Sequence, residues 1–493
     1  MSEGRVNVAG VGVSTDHYID GRRVASTDRF LDRSPVDGSA LAEVSAGGGP
    51  EAGMAVDAAR RAFPAWAALG PEGRAPILRR FAEGILARAG ELAAVETLDN
   101  GSLLTGNTHR VVPRAAQNIA YFAEHALTLG GHTIDSPEVV NHVRYDPAGV
   151  AVLVTPWNAP LMLTTWKVGP ALAAGDTVVV KPPEWAPLTC SLMADIAGAA
   201  GVPAGVLNVV QGIGEDAGAA LTQQPNIDRI SFTGSTDTAR IIGQAAARSI
   251  TSMSSELGGK SPFIVCADAD LKAAAQTVAG QYINAGQVCL AGTRILVEET
   301  IADEFLGHVR DAVAHMTVGD PRDAATRVGP LIHPEHFERV QGFVDRARQE
   351  GVDILWGGER HNQGELYFQP TLIAGARRDQ EIFRKEVFGP VLTWNTFRGD
   401  DEVIEVANGT EYGLAATLFT GSEDRAMRIA SAVVAGTVWV NCFFIRELGA
   451  PFGGSKHSGI GREGGTWSFD FYSDIKNIAI RKGSFPHNGG SHG

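Results

Sequence analysis

The sequence predicts an α/β protein of stacked layers built around parallel sheets, and three observations carry that prediction. Val-rich runs such as "GVAVLVT", "DTVVVKPP" and "VLNVVQG" recur without polar alternation. Each is followed by a helix-like segment, the first two by "APLMLTTWKVGPALAAG" and "APLTCSLMADIAGAAG". Continuous apolar strands alternating with helices fit a parallel sheet covered on both faces. The alternation runs from about residue 50 to 440 and divides near Gly258 into two regions.

Taken along the chain, "GVGVST" at Gly10 has no strand-like run before it and reads as a flexible segment. "TDHYIDGRRVAS" and "RFLDRSPVDGSALAEVSAG" look like short antiparallel strands joined by Asp-Gly turns. The α/β alternation follows. "RISFTGSTDTARIIGQAA" runs strand, Gly234-Ser235-Thr236, helix. There Ser235 and the helix amides suit either a phosphate or an ordinary N-cap. "QGIGEDAG" places Gly212, Gly214 and Gly218 after a strand, but not with the spacing of a dinucleotide fingerprint. "FYSDIKNIAIRKG" reads as a last strand, with a loose Gly/Ser/His-rich tail behind it.

Composition narrows the function classes. At 493 residues, with 44% hydrophobic and 20% charged residues, the chain fits two or three soluble domains. No apolar run approaches the roughly 20 residues of a membrane helix, and the N-terminus lacks a basic region followed by an apolar stretch. Cytoplasm is therefore the expected location. A formal charge of −14 argues against nucleic acid or an acidic membrane as partner and favours small molecules. Cys190, Cys266, Cys289 and Cys442 form neither a C-x-x-C pair nor a zinc-spaced cluster, so no disulfide framework and no metal is expected. Cys190 and Cys266 sit in apolar contexts and read as core. Cys289 differs, lying in the small-residue turn "GQVCLAG" between a helix and a strand.

Six segments in order, "TPWNAPLMLTTWKVGPALAAGDTVVVKPPEWAPLT", "FTGSTDTAR", "ELGGKSPFIV", "GQVCLAGTR", "KEVFGPV" and "PFGGSKHSGIGREGG", together resemble the NAD(P)-dependent aldehyde dehydrogenase superfamily over residues 18–480. One departure is Ala239, where many members have glycine. The resemblance implies a Rossmann-type NAD-binding domain (1–127 and 148–258), an α/β catalytic domain (259–460), and a small β oligomerisation arm with the C-terminal tail (128–147 and 461–493). A homodimer or homotetramer is expected, since arm edges invite pairing between subunits.

For chemistry, the resemblance implies Cys289 as nucleophile, Asn158 as oxyanion-hole amide, Glu256 as general base and Glu463 as a second carboxylate that passes protons inward. These types suit the reaction. An aldehyde carbon becomes a hydride donor once a thiolate has added to it, the adduct's oxyanion needs donors, and the resulting thioester needs a base to activate water. For the cofactor, it implies Lys181 and Glu184 at the adenosine ribose and Glu386 and Phe388 at the nicotinamide ribose and ring. Thr155, Pro156, Trp157, Gly214, Phe232, Gly234, Ser235 and Leu257 complete that expected set. A carboxylate at 184 would repel a 2′-phosphate, which favours NAD over NADP.

"NCFFIRELGAPFGG" and "SGIGREGGTWSFDFYSDIKNI" further resemble the hydroxymuconic semialdehyde dehydrogenase branch, some of whose members act on carboxymethyl-bearing forms. Arg114 sits after Pro113 in what reads as a helix's first turn, where the dipole disfavours a cation, and Arg446 interrupts an apolar stretch. With Trp166 they form the expected substrate set, the arginines holding the carboxylate of a semialdehyde from aromatic-ring breakdown. The alternatives are a general aliphatic or aromatic aldehyde dehydrogenase, a coenzyme A-acylating relative, and a non-catalytic structural protein. An intact Cys289, Glu256 and Asn158 disfavours the last two.

Overall fold

The computed structural model describes residues 4–483, so the Gly/Ser/His-rich tail expected at the end lies largely outside the described residues. Two large sheets dominate. In the first, the strand Val150–Val154 lies centrally; Thr177–Lys181 and Leu207–Val209 extend to one side, and Arg229–Gly234 and Ser252–Leu257 to the other. These five strands are parallel. Because the chain reverses its direction of travel across the sheet at Val150–Val154, a crevice opens outside the carboxyl ends of the central strands, the usual ligand position in such folds. Antiparallel edge strands flank the set: His17–Ile19 on Leu207–Val209, and Gly459–Ile460 on Ser252–Leu257.

The second sheet runs in the order Asp353–Trp356, Thr371–Ala374, Val391–Phe397, Arg294–Glu298, Pro262–Val265, Ala415–Phe419, Thr437–Val440. All its pairings are parallel except the first. Strands such as Pro262–Val265 and Thr177–Lys181 are buried at every position, which explains their unalternated sequences. Only Gly258 to Ser261 separates the last strand of the first parallel set from the first of the second. A third, antiparallel sheet joins His132–Asp135, Val139–Pro147 and Ser473–Arg481.

Three differences from the sequence reading have local causes. "GVGVST" is not a flexible segment: Arg5–Val8 and Val11–Ser14 form a hairpin whose turn residues, Ala9 and Gly10, both have positive φ (53° and 82°). An alanine in the left-handed region supplies none of the usual Asn-Gly or Asp-Gly signal. The α/β alternation begins later than residue 50, since 49–128 contains helices only. And Val112–Thr128 does not start a helix afresh. It continues through a π-turn, Asn107–Val111, from Leu104–Gly106, so Arg114 has helical turns before it and no free helix N-terminus beneath it. Among the described residues no helix is long and apolar enough to cross a membrane.

Candidate active site

A short loop presents Cys289. After the helix Leu271–Ala279, the backbone turns left-handed at Asn284, Ala285 and Gly286 (φ 56°, 53° and 68°). A side chain at Gly286 is excluded, since an added Cβ would stand 2.2 Å from the Gly389 carbonyl oxygen. The loop is tied to the segment after the first sheet's central strand at Asn158, whose Nδ2 donates to the Gln287 carbonyl at 3.0 Å while Asn284 Nδ2 donates to the Asn158 carbonyl at 3.1 Å. One N–H of the Asn158 amide is left for another acceptor. Cys289, Asn158, Arg114 and Arg446 line one cavity of about 940 Å³.

Burial governs the electrostatics. Desolvation pushes the Cys289 thiol up to about 12, with the nearby carboxylates adding to the rise and Arg446 opposing it. Glu256, at the carboxyl end of its strand, is buried with neither carboxyl oxygen hydrogen-bonded. Desolvation and then the charge of Glu463 hold its carboxyl well above the usual range, against Lys167, Arg446 and Arg462. The edge pairing of Glu256 with Gly459 brings in Glu463. Glu463 is not a surface charge: it accepts from Lys167 Nζ at 2.7 Å and from the Trp166 indole N–H, with Ser231 Oγ at 3.4 Å. Lys167 donates also to Ser231 Oγ at 2.8 Å.

Arg446 is half-buried near this group. Its guanidinium lies 3.7 Å from the Phe452 ring centroid and 4.8 Å from that of Trp166, and Nη2 has no hydrogen-bond partner. Desolvation lowers it to about 10. Arg114 Nη1 donates to the Arg446 carbonyl at 3.1 Å, so the two arginines are joined through backbone. Trp166, grouped with the substrate residues on sequence grounds, stands outside the cavity lining and instead supports Arg446 and Glu463.

The residues assigned to the cofactor gather at the carboxyl ends of the parallel strands. Lys181 ends Thr177–Lys181 and Leu257 ends Ser252–Leu257. Phe232 and Gly234 close Arg229–Gly234, and Thr155, Pro156 and Trp157 follow Val150–Val154. Lys181 Nζ donates to Glu184 at 2.6 Å. A Cβ added at Gly214 would lie 3.7 Å from Glu184 Oε1 and 3.9 Å from Lys181 Nζ, so the charged pair and a bare glycine turn form one cradle. Ser235 Oγ accepts from the Thr238 backbone N–H at 3.1 Å and is thus the N-cap of Thr236–Ser249. From the other half, Glu386 accepts from the Gly259 N–H at 3.0 Å, and burial raises it to about 7. Phe388, at φ 58°, sets its ring 5.3 Å from that of Trp157. These features suit a dinucleotide: an acid paired with a lysine beside a bare glycine turn, and two aromatic rings, all near the carboxyl ends of the parallel strands.

Sequence reasoning passed over several residues here. Lys167 was visible as the lone charge in the apolar helix Pro160–Ala174. His336, which is hydrogen-bonded to the Phe388 carbonyl at 2.7 Å, and Arg110 on the cavity wall carried no comparable signal.

Comparison with known proteins gives consistent matches. Residues 23–478 match the model of the aldehyde dehydrogenase family. The chain is 42% identical over 480 residues to 2-hydroxymuconic semialdehyde dehydrogenase of Pseudomonas sp. (strain CF600), covering 94% of this chain and 99% of that relative. It is 38% identical to 2-aminomuconic semialdehyde dehydrogenase of Danio rerio, covering 94% and 98%. Among solved structures, P. syringae indole-3-acetaldehyde dehydrogenase AldA in complex with NAD+ and IAA superposes with a TM-score of 0.94 at 38% identity, covering 96% of this chain and 97% of that one.

Proposed function

The chain belongs to the aldehyde dehydrogenase family, and from that premise we propose that it oxidises a carboxylate-bearing semialdehyde of the hydroxymuconic type to the acid, with NAD preferred over NADP. One observation carries the substrate reading: two arginines, one with a buried and unpartnered Nη2, line the cavity that holds Cys289. A desolvated N–H donor without a partner is costly unless a ligand accepts from it. The relatives named for muconic semialdehydes support the same choice. The Glu184 carboxylate in its cradle supports NAD.

The chain's own groups divide the work as follows. The Cys289 thiol gives up its proton to solvent, with the nearby Arg446 favouring the thiolate. The sulfur adds to the aldehyde carbon, while the free Asn158 N–H and the Cys289 backbone N–H receive the oxygen's charge. NAD, when bound, supplies the acceptor for the hydride that this carbon gives up. Lys181, Glu184, Glu386 and Phe388 would hold it. The acyl group remains on Cys289 as a thioester. Glu256 then removes a proton from water, water oxygen bonds the acyl carbon, and the C–S bond breaks to return the thiolate. Glu463, held by Lys167 and Trp166, relays the proton away from Glu256. The exposed Ile134, Ile475 and Ile478 of the antiparallel arm support assembly as a homodimer or homotetramer.

The test compares kcat/KM for 2-hydroxymuconic semialdehyde and for hexanal in the parent, Arg114→Ala and Arg446→Ala. Losing one partner of a desolvated charge pair costs about 2–5 kcal/mol, so the semialdehyde should lose at least about 30-fold and hexanal far less. Equal losses, or a parent that prefers hexanal, would overturn the carboxylate reading in favour of a general aldehyde dehydrogenase.

A further inference from the structure

Away from the substrate cavity, an exposed aromatic side chain joins the two halves of the molecule. Trp185 follows Glu184 in the turn after Thr177–Lys181 and is exposed. Its indole lies flat on the imidazole of His333, with ring centroids 4.1 Å apart and planes 18° from parallel. The two rings come from different halves. Trp185 stands after a strand of the first sheet, whereas His333 precedes the helix Pro334–Gln349, whose Phe337, Val340 and Val344 pack into the core of the second.

His333 passes that contact on. Its Nδ1 accepts from the His336 backbone N–H at 3.2 Å, which makes it the N-cap of Pro334–Gln349. An imidazole accepting at Nδ1 is uncharged, and desolvation keeps it so by lowering the His333 pKa. His336, fixed by that cap, donates from Nε2 to the Phe388 carbonyl at 2.7 Å and sets its ring 5.4 Å from that of Trp157. Phe388, at φ 58°, occupies a backbone region that a bulky residue holds only with support from its surroundings. The segment before the cap is tied down as well, since the Ile332 N–H donates to Gln287 Oε1 at 3.0 Å. A continuous series of contacts thus runs from the turn carrying Glu184, through Trp185, His333 and His336, to Phe388.

The geometry points to Trp185 as a positioning residue that acts through His333 and His336 on Phe388, so that the turn at the adenosine end of the cofactor crevice sets the nicotinamide end. This rests on the assignment of Glu184 and Phe388 to the two ends of NAD and deepens it. Trp185 need not touch the cofactor for this. An aromatic stack is worth about two- to twelvefold in an equilibrium, so its loss should weaken NADH binding by about fivefold. The change should lie mainly in dissociation, where most differences between related complexes are found.

The experiment reads binding without turnover. It measures the Kd and dissociation rate of NADH from its fluorescence, and the Kd of AMP, which has only the adenosine end, by calorimetry. The enzymes are the parent, Trp185→Ala, Trp185→Phe, His333→Asn, which keeps a capping acceptor while removing the ring, and Trp185→Ala combined with His333→Asn, each checked for an unchanged thermal midpoint. Trp185→Ala and His333→Asn should each raise the NADH Kd about fivefold and leave that of AMP within about twofold. The double variant should lose no more than either single one, because both remove the same contact, and Trp185→Phe should restore most of the affinity. Equal losses of AMP and NADH, or losses that multiply in the double variant, would overturn the relay while leaving the cofactor assignment standing. A parent that binds neither AMP nor NADH would instead overturn that assignment, and the relay with it.

Discussion

At the residue scale, the central fact is that the groups meant to react are held in their protonated forms. Burial pushes Cys289 up to about 12 and Glu256 well above a free carboxylate. Below its pKa a thiol loses about tenfold in thiolate for each pH unit, and a base with a raised pKa likewise loses its working form on acidification. Both effects have the same sign, so kcat/KM for an uncharged aldehyde should rise continuously from about pH 6 to 9 with no acid-side plateau. Arg446 draws both pKa values down, so Arg446→Met should move that rise to higher pH, read from the same profile. Cofactor choice also rests on single residues. On the proposed assignment, Glu184→Ala would remove both a ribose acceptor and a charge that repels a 2′-phosphate, so the ratio of kcat/KM for NAD over NADP should fall by about tenfold or more. An unchanged ratio would place discrimination elsewhere. Much at this scale was legible in the sequence. The turn around Cys289 and the acids in "ELGGK" and "GREGG" stand in motifs with the right chemistry. The partial burial of Arg446 was not, because it depends on Trp166 and Phe452, distant in the chain, arriving on either face of one guanidinium.

At the element scale, the loop before Cys289 depends on its left-handed run. Gly286→Ala would force a Cβ to within 2.2 Å of the Gly389 carbonyl, at a φ that alanine adopts only at a cost. The expected loss is about 2–4 kcal/mol of stability in a urea titration, with activity falling further because Cys289 moves with the loop. A second junction joins an N-terminal strand to two helices: Asp32 of Arg29–Arg33 faces Asp99 of Ala89–Asn100, and Glu96 of the same helix accepts from Thr189 Oγ1 at 2.6 Å on Leu188–Ala199. Burial raises Asp32 and Glu96 to about 7. A carboxyl whose folded pKa is raised binds more protons folded than unfolded, so its contribution is present at low pH and is lost as pH rises from about 4 through about 7. Asp32→Asn should therefore be more stable than the parent at pH 8, by about 1–3 kcal/mol, with the difference shrinking at pH 5. Chemical denaturation at the two pH values reads this directly. The alternation of parallel strands and helices was legible because buried strands need unbroken apolar runs. The Ala9-Gly10 turn and the π-turn at Asn107–Val111 were not, since each is a change in backbone geometry or hydrogen-bond register that leaves no compositional trace.

At the scale of the whole molecule, the site exists because two sheets meet. Glu256 is the penultimate residue of the last parallel strand of the first, Cys289 precedes Arg294–Glu298 of the second, and Gly459–Ile460 returns to the first sheet's edge and carries Glu463 with it. This convergence was legible only through the resemblance of whole motifs, since no spacing in the chain shows that residues 256, 289 and 463 meet. The arm is the other feature of this scale. Among the described residues Ile475 and Ile478 of this arm are exposed, so if the proposed assembly forms through it, Ile475→Asp with Ile478→Asp should lower the molar mass seen by light scattering while leaving the fold intact. The account as a whole turns on a covalent acyl group at Cys289 that Glu256 clears. The most direct measurement is therefore peptide mass spectrometry of Glu256→Gln, quenched within one turnover after mixing with NAD and 2-hydroxymuconic semialdehyde. The account predicts a burst of about one reduced nicotinamide per active site. It also predicts an adduct on the Cys289 peptide with the mass of the aldehyde less two hydrogens. Reduced nicotinamide formed with Cys289 unmodified, or the same adduct on Cys442 instead, would contradict it.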